Sequence, residues 1–234
     1  MDAIVFDWDG TLIDTLPAIY EANRLVLAEH GLPFDPELYR KAFIPDWRLM
    51  YQRLGVPDDR LEHVGVRWLE LYRMAGDANL LPGSADALRR LADAGFVLGL
   101  VTAGDRDVVT EQIERLGLDA YLTVRVFGND ELPHKPHPDP LLHVLERLER
   151  RDRVATARYI GDVPDDMRMA RAVGAIGVGI ESVNWRPEDL REAGASVIYP
   201  SVATFVDELL GPTSTSATAT GATRDAVSGA VGRA

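Results

Sequence analysis

The chain has 234 residues, enough for one large α/β domain or for a core domain carrying a smaller insert. Its formal charge of −12 repels phosphate backbones and anionic headgroups, which argues against nucleic-acid and membrane partners. The absence of cysteine excludes disulfides, thiol catalysis and thiolate metal sites together. Met1 leads straight into an apolar strand without a basic n-region, and no apolar run approaches the ~18 residues of a spanning helix. A soluble, cytoplasmic protein is expected.

In chain order, a short apolar run predicts a first strand at 3–6. From 16 to 81 no strand is legible; apolar positions recur at helical spacing, as in Ile19, Val26, Leu27 and in Val64, Trp68, Leu71. Pro33, Pro45 and Pro57 divide this stretch into about four helices. Helices at 84–94, 107–116, 138–150 and 165–173 then alternate with strands at 97–101, 124–127, 157–160 and 175–180, with a sixth strand at 197–199. Such alternation predicts a parallel sheet covered on both faces, with ligands beyond the carboxyl ends of its strands. Residues 1–15 and 82–210 are thus read as the core and 16–81 as a helical cap. In 211–234, 18 residues are Ala, Thr, Gly or Ser, so this segment is expected to be a disordered tail.

Four segments at strand ends carry the chemistry. Asp7-Trp8-Asp9-Gly10-Thr11-Leu12 follows the first strand, and two carboxylates two residues apart on an extended chain point to the same side. Acids so placed repel, which a structure tolerates with a cation or a shared proton. Thr102-Ala103-Gly104 ends the second strand before a helix, where backbone N–H groups and the Thr102 hydroxyl can cradle an anion. Lys135 sits in His134-Lys135-Pro136-His137, in a chain with 23 arginines and only two lysines; a compact ammonium suits a phosphoryl oxygen or a carboxylate. The flanking histidines read as solvated surface. Gly161-Asp162 ends a further strand, and Asp166 lies one helical turn on; Asp165 reads as a helix N-terminal acid. With Asp7 they make an all-oxygen set suited to Mg²⁺.

In this order the four segments resemble the haloacid dehalogenase superfamily over about residues 1–210. The helical insert looks like the small α-helical cap of the subgroup containing phosphoglycolate phosphatase and β-phosphoglucomutase. The resemblance implies a Rossmann-like core, Mg²⁺ dependence and an aspartyl-phosphate intermediate. Asp7 would be the nucleophile and Asp9 the general acid/base, while Thr102, Ala103 and Lys135 would bind the phosphoryl group. Asp7, Asp162 and the Asp9 backbone carbonyl would hold the metal, with Asp166 acting through water. A phosphatase for a small phosphorylated metabolite, acting as a monomer or homodimer, is therefore expected, with phosphoglycolate as the nearest guide. A phosphomutase shares the whole apparatus; a phosphorylation-switch domain is about half this length and lacks the insert. Arg48, beside Trp47 at a break in the cap, is placed to meet a substrate carboxylate or second phosphate, with an ordinary surface arginine as the alternative. Trp8 reads as packing.

Overall fold

The computed structural model describes residues 2–75 and 78–212. Its sheet has six parallel strands in the order β3-β2-β1-β4-β5-β6. They are β1 (Ala3–Phe6), β2 (Val97–Val101), β3 (Val124–Val126), β4 (Arg158–Gly161), β5 (Ile176–Ile180) and β6 (Val197–Tyr199). β1 lies at the centre, Val5 opposite Gly99 on one side and Tyr159 on the other. All four of its residues are buried, as a strand covered on both faces requires.

Side-chain alternation along β1 sends Ile4 and Phe6 to one face and Ala3 and Val5 to the other. The first face is covered by α5 (Ser84–Asp93), α6 (Arg106–Arg115) and α10 (Val202–Leu210), through Leu88, Leu91, Ile113 and Phe205. The second is covered by α7 (Asp139–Arg147) and α8 (Pro164–Val173), through Leu141, Val144, Leu145 and Met169. Burial of each such side chain contributes about 1.5–3 kcal/mol before ordering costs. α9 (Pro187–Ala193) packs Leu190 and Ala193 against Met167.

Between β1 and α5 lie α1 (Leu16–Glu29), α2 (Pro36–Ala42), α3 (Trp47–Arg53) and α4 (Leu61–Met74). Asp35 and Asp46 cap the second and third of these, each accepting two backbone N–H groups. The four helices close on an apolar cluster of their own around Val26, Leu27, Tyr51 and Val64. The chain enters and leaves this segment at adjacent points: Asp14 N–H donates to the Asn79 carbonyl at 2.8 Å and Leu81 N–H to Leu12 at 3.0 Å. Trp8 is fully buried and donates to Gln112 at 2.8 Å, and Gln112 donates to the Tyr72 hydroxyl of α4 at 2.9 Å. That chain joins the first loop, a core helix and the helical segment.

Several expected bounds move by a residue. The helix expected over 138–150 stops at Arg147, because Glu149 adopts φ 58° and Arg150 N–H turns back to the Leu145 carbonyl. α9 and α10 lie where no helix was expected. The tail expected at 211–234 falls outside the described residues from 213 onward. Among the described residues, no helix is long and apolar enough to cross a membrane.

Candidate active site

The four segments meet at the carboxyl edge of the sheet. Asp7 still belongs to the ladder, its N–H bonding the Ile160 carbonyl at 2.8 Å, so its side chain is aimed by the central strand. The loop then tightens: Thr11, Leu12 and Ile13 N–H all reach the Trp8 carbonyl. Gly10 turns it at φ 77°, and a Cβ there would stand 2.8 Å from Asp162 Oδ2. The glycine is needed both for its conformation and for the approach of the second carboxylate. Likewise a Cβ at Gly161 would collide with the Asp166 carboxylate.

Asp7, Asp162 and Asp166 are buried, and each offers a carboxylate oxygen within 4.8 Å of the others'. At that spacing and an effective dielectric of ~20, each ionised pair repels by about 3.5 kcal/mol. Lys135 Nζ is the compensating charge, 2.6 Å from Asp7 Oδ1 and 2.8 Å from Asp166 Oδ1. Its third donor reaches the Tyr159 hydroxyl at 3.3 Å, which itself donates to the Val101 carbonyl. All three ammonium protons are therefore engaged, the Tyr159 contact being the longest of the three. Thr11 Oγ1 lies 3.2 Å from Asp7 Oδ2 and 3.4 Å from Asp162 Oδ1.

One ammonium among these carboxylates leaves excess negative charge, and it shows in their protonation. Burial, then the charges of Asp7 and Asp166, holds Asp162 well above the usual carboxylate range. Burial lifts Asp166 to about 6 against the pull of Lys135. For Lys135, burial opposes the charged form, but Asp166 and Asp7 outweigh it and keep the amine protonated well above its ordinary range. Asp162 Oδ2 is buried without a hydrogen-bond partner. An orphaned carboxylate oxygen within a cluster of hard donors fits a divalent cation such as Mg²⁺.

Asp9 stands apart from that cluster. Its Oδ1 accepts from Thr15 Oγ1 at 2.7 Å, and burial followed by the Asp7 charge raises it to about 6. A Cβ at Gly104 would sit 3.4 Å from Asp9 Oδ2 and 3.2 Å from Thr102 Oγ1, so the second segment abuts Asp9. Thr102 is buried, and its hydroxyl accepts from Gly104 N–H at 2.9 Å, leaving its own proton to give. Asp105 caps α6.

Above these groups, against the helices of 16–74, lies a cavity of about 390 Å³. Asp7, Asp9, Ala103, Lys135 and Asp162 line its floor. Arg48 does not line it: the guanidinium stacks 4.3 Å over Trp47 and pairs with Glu62 at 2.6 Å, half exposed. The anionic partner expected from a ligand is supplied by the protein itself. His137 is exposed beside Asp139, and Asp165 pairs with Arg168. Trp8 is core, as its packing reading holds. Sequence reasoning missed Tyr159, whose hydroxyl orients Lys135, and Trp185, a cavity wall; the tyrosine's sole signal was its place two residues before the strand-end Gly161.

Comparison with known proteins agrees with this architecture. A phosphorylated carbohydrates phosphatase of Thermotoga maritima is 33% identical over 154 residues, 63% of this chain and 71% of that protein. A phosphoglycolate phosphatase of Escherichia coli (strain K12) is 30% identical over 227 residues, covering 85% of this chain and 88% of its own. The crystal structure of a hydrolase from Pseudomonas syringae superposes with a TM-score of 0.80 at 25% identity, over 89% of this chain and 98% of that one. The model of the haloacid dehalogenase-like hydrolase family matches residues 4–180, from the central strand to the end of β5. The chain belongs to that family.

Proposed function

We propose that the protein is a Mg²⁺-dependent phosphatase that hydrolyses a small phosphate monoester through a phosphoaspartate on Asp7. The observation that carries this reading is Asp7 itself. Its carboxylate stands on the cavity floor, held by Lys135 and Thr11, with Asp9, raised to about 6, close by.

An Asp7 carboxylate oxygen attacks phosphorus, and the bond from phosphorus to the ester oxygen breaks. The departing alkoxide takes a proton from Asp9, whose pKa, raised to about 6, leaves more of the acid form near neutrality than an ordinary carboxylate has. Asp9 then removes a proton from water, which attacks the phosphoaspartate and releases phosphate, restoring Asp7. Lys135, the Thr102 hydroxyl and the backbone N–H of Ala103 receive the phosphoryl oxygens. Asp7, Asp162 and the Asp9 carbonyl would hold Mg²⁺, with Asp166 behind them, and the ion would supply the positive charge that offsets the repulsion between a carboxylate and a phosphate dianion. The relatives' names support phosphoester hydrolysis. The acidic surface supports a small metabolite, rather than nucleic acid or membrane, as the partner in the cytoplasm.

The test is phosphate release from a monoester panel that includes phosphoglycolate, with Mg²⁺ and with a chelator. Turnover that needs the metal is expected. No release from any ester would refute the reading.

A further inference from the structure

We infer that the substrate's leaving group is neutral and largely apolar, and that the helical segment selects against a second negative charge. This rests on the phosphatase reading above and narrows it. The cavity has ample volume for such a group, within the ~300–1,000 Å³ of ligand pockets generally. Its upper wall is aromatic and aliphatic: Tyr39, Phe43, Trp47, Met50 and Trp68 from the helical segment, and Trp185 from the core.

That wall is stiff. Phe43 meets Tyr39 at 5.6 Å and Trp185 at 5.8 Å, both edge-on, so one aromatic row spans helical segment and core. The Trp47 indole presses on α4 so closely that a Cβ at Gly65 would lie 2.7 Å from it.

The charge around the cavity is one-sided. Lys135 is the only lysine, arginine or histidine lining it among the described residues, and it is engaged by Asp7 and Asp166. Glu62 and Asp105 add carboxylates to the lining, and Arg48, next to Trp47, is neutralised by Glu62. A leaving group bearing its own carboxylate would lose its hydration here and find no cation to replace it. An alkyl or aryl group gains from every methylene it buries.

The experiment compares kcat/KM for methyl, ethyl, butyl, hexyl and 2-phenylethyl phosphate with that for phosphoglycolate, so that all leaving groups are unactivated alcohols. Each added methylene is expected to raise kcat/KM about fourfold. Phenylethyl phosphate is then expected to surpass phosphoglycolate by about 10²-fold. Val66 lines the cavity and is 62% exposed, so Val66→Lys adds a cation without disturbing packing. It is expected to shift the preference toward phosphoglycolate about tenfold. A flat alkyl series, or phosphoglycolate as the better substrate, overturns the inference and leaves the phosphatase reading standing. If no ester is hydrolysed, the phosphatase reading fails. Calorimetry with the matching alkylphosphonates then decides the cavity, because affinity that does not rise with chain length overturns the inference as well.

Discussion

Replacing Lys135 with arginine keeps the positive charge and removes the fit. The Arg Cζ would occupy roughly the place of Nζ, and its terminal nitrogens would reach about 1.3 Å further, the length of a conjugated C–N bond. Asp7 Oδ1 now lies only 2.6 Å from Nζ and Asp166 Oδ1 only 2.8 Å. Neither has room to retreat, since Asp7 is held by β4 and Thr11, and Asp166 accepts from the Val163 N–H. The attacking oxygen must therefore shift by more than about 1 Å, a displacement that costs on the order of 10²-fold in rate. Steady-state kinetics on Lys135→Arg should show kcat/KM reduced by at least that factor, about 3 kcal/mol of transition-state stabilisation, with an unchanged circular dichroism spectrum. Lys135→Met is the contrasting case. It strands buried carboxylates without a counter-charge and should lower stability by about 3–5 kcal/mol as well. Near wild-type rates for Lys135→Arg would refute the packing argument and return phosphate binding to Thr102 and the metal.

Asp7→Asn should leave less than about 1% of the activity in a protein that melts no lower than wild type, because an amide is a poor nucleophile and adds no charge to the cluster. Asp9→Asn should lower kcat/KM, which reports the first chemical step, far more for alkyl phosphates than for p-nitrophenyl phosphate, whose leaving group needs no proton; equal losses would contradict the general-acid role. Asp9 and Asp166 are both raised from 3.8 to about 6 in the folded chain, so the folded state holds these protons more tightly than the unfolded state. Their contribution is present in full below the unfolded value and is lost as pH rises through about 6. The metal-free protein should therefore become less stable across that window. Millimolar Mg²⁺ should raise the melting temperature by about 5 °C at pH 7.5 and by much less at pH 5, as calorimetry can check.

The carboxylates were legible because they follow two strands within a few residues, Asp7 and Asp9 after β1 and Asp162 and Asp166 after β4, and a parallel sheet collects its strand ends at one edge. Lys135 was legible through scarcity, as one of two lysines among 23 arginines. What stayed hidden depends on separations that no local pattern encodes. Tyr159 reads as a strand residue until Lys135, 24 positions away, reaches its hydroxyl. Arg48 reads as free until Glu62, 14 positions on, is folded against it. Trp185 lies between β5 and α9 with no periodicity around it, yet it completes the aromatic row that begins in α2. The end of α7 was overrun because Leu148 continues the apolar pattern past the point where the backbone turns.

The paired crossings at Asp14–Asn79 and Leu12–Leu81 let the chain leave and re-enter the core at one spot, so in its connectivity the helical segment is a graft. For a chain whose ends are already held together, lengthening or shortening is cheap, about 0.6 kcal/mol for each doubling of a flexible loop. The strand that aims Asp7 does not register what the intervening chain contains. A lineage can therefore exchange the part of the cavity wall that the four helices supply, leaving Trp185 and the carboxylate cluster in place. Reactivity and taste can evolve at separate rates within one polypeptide.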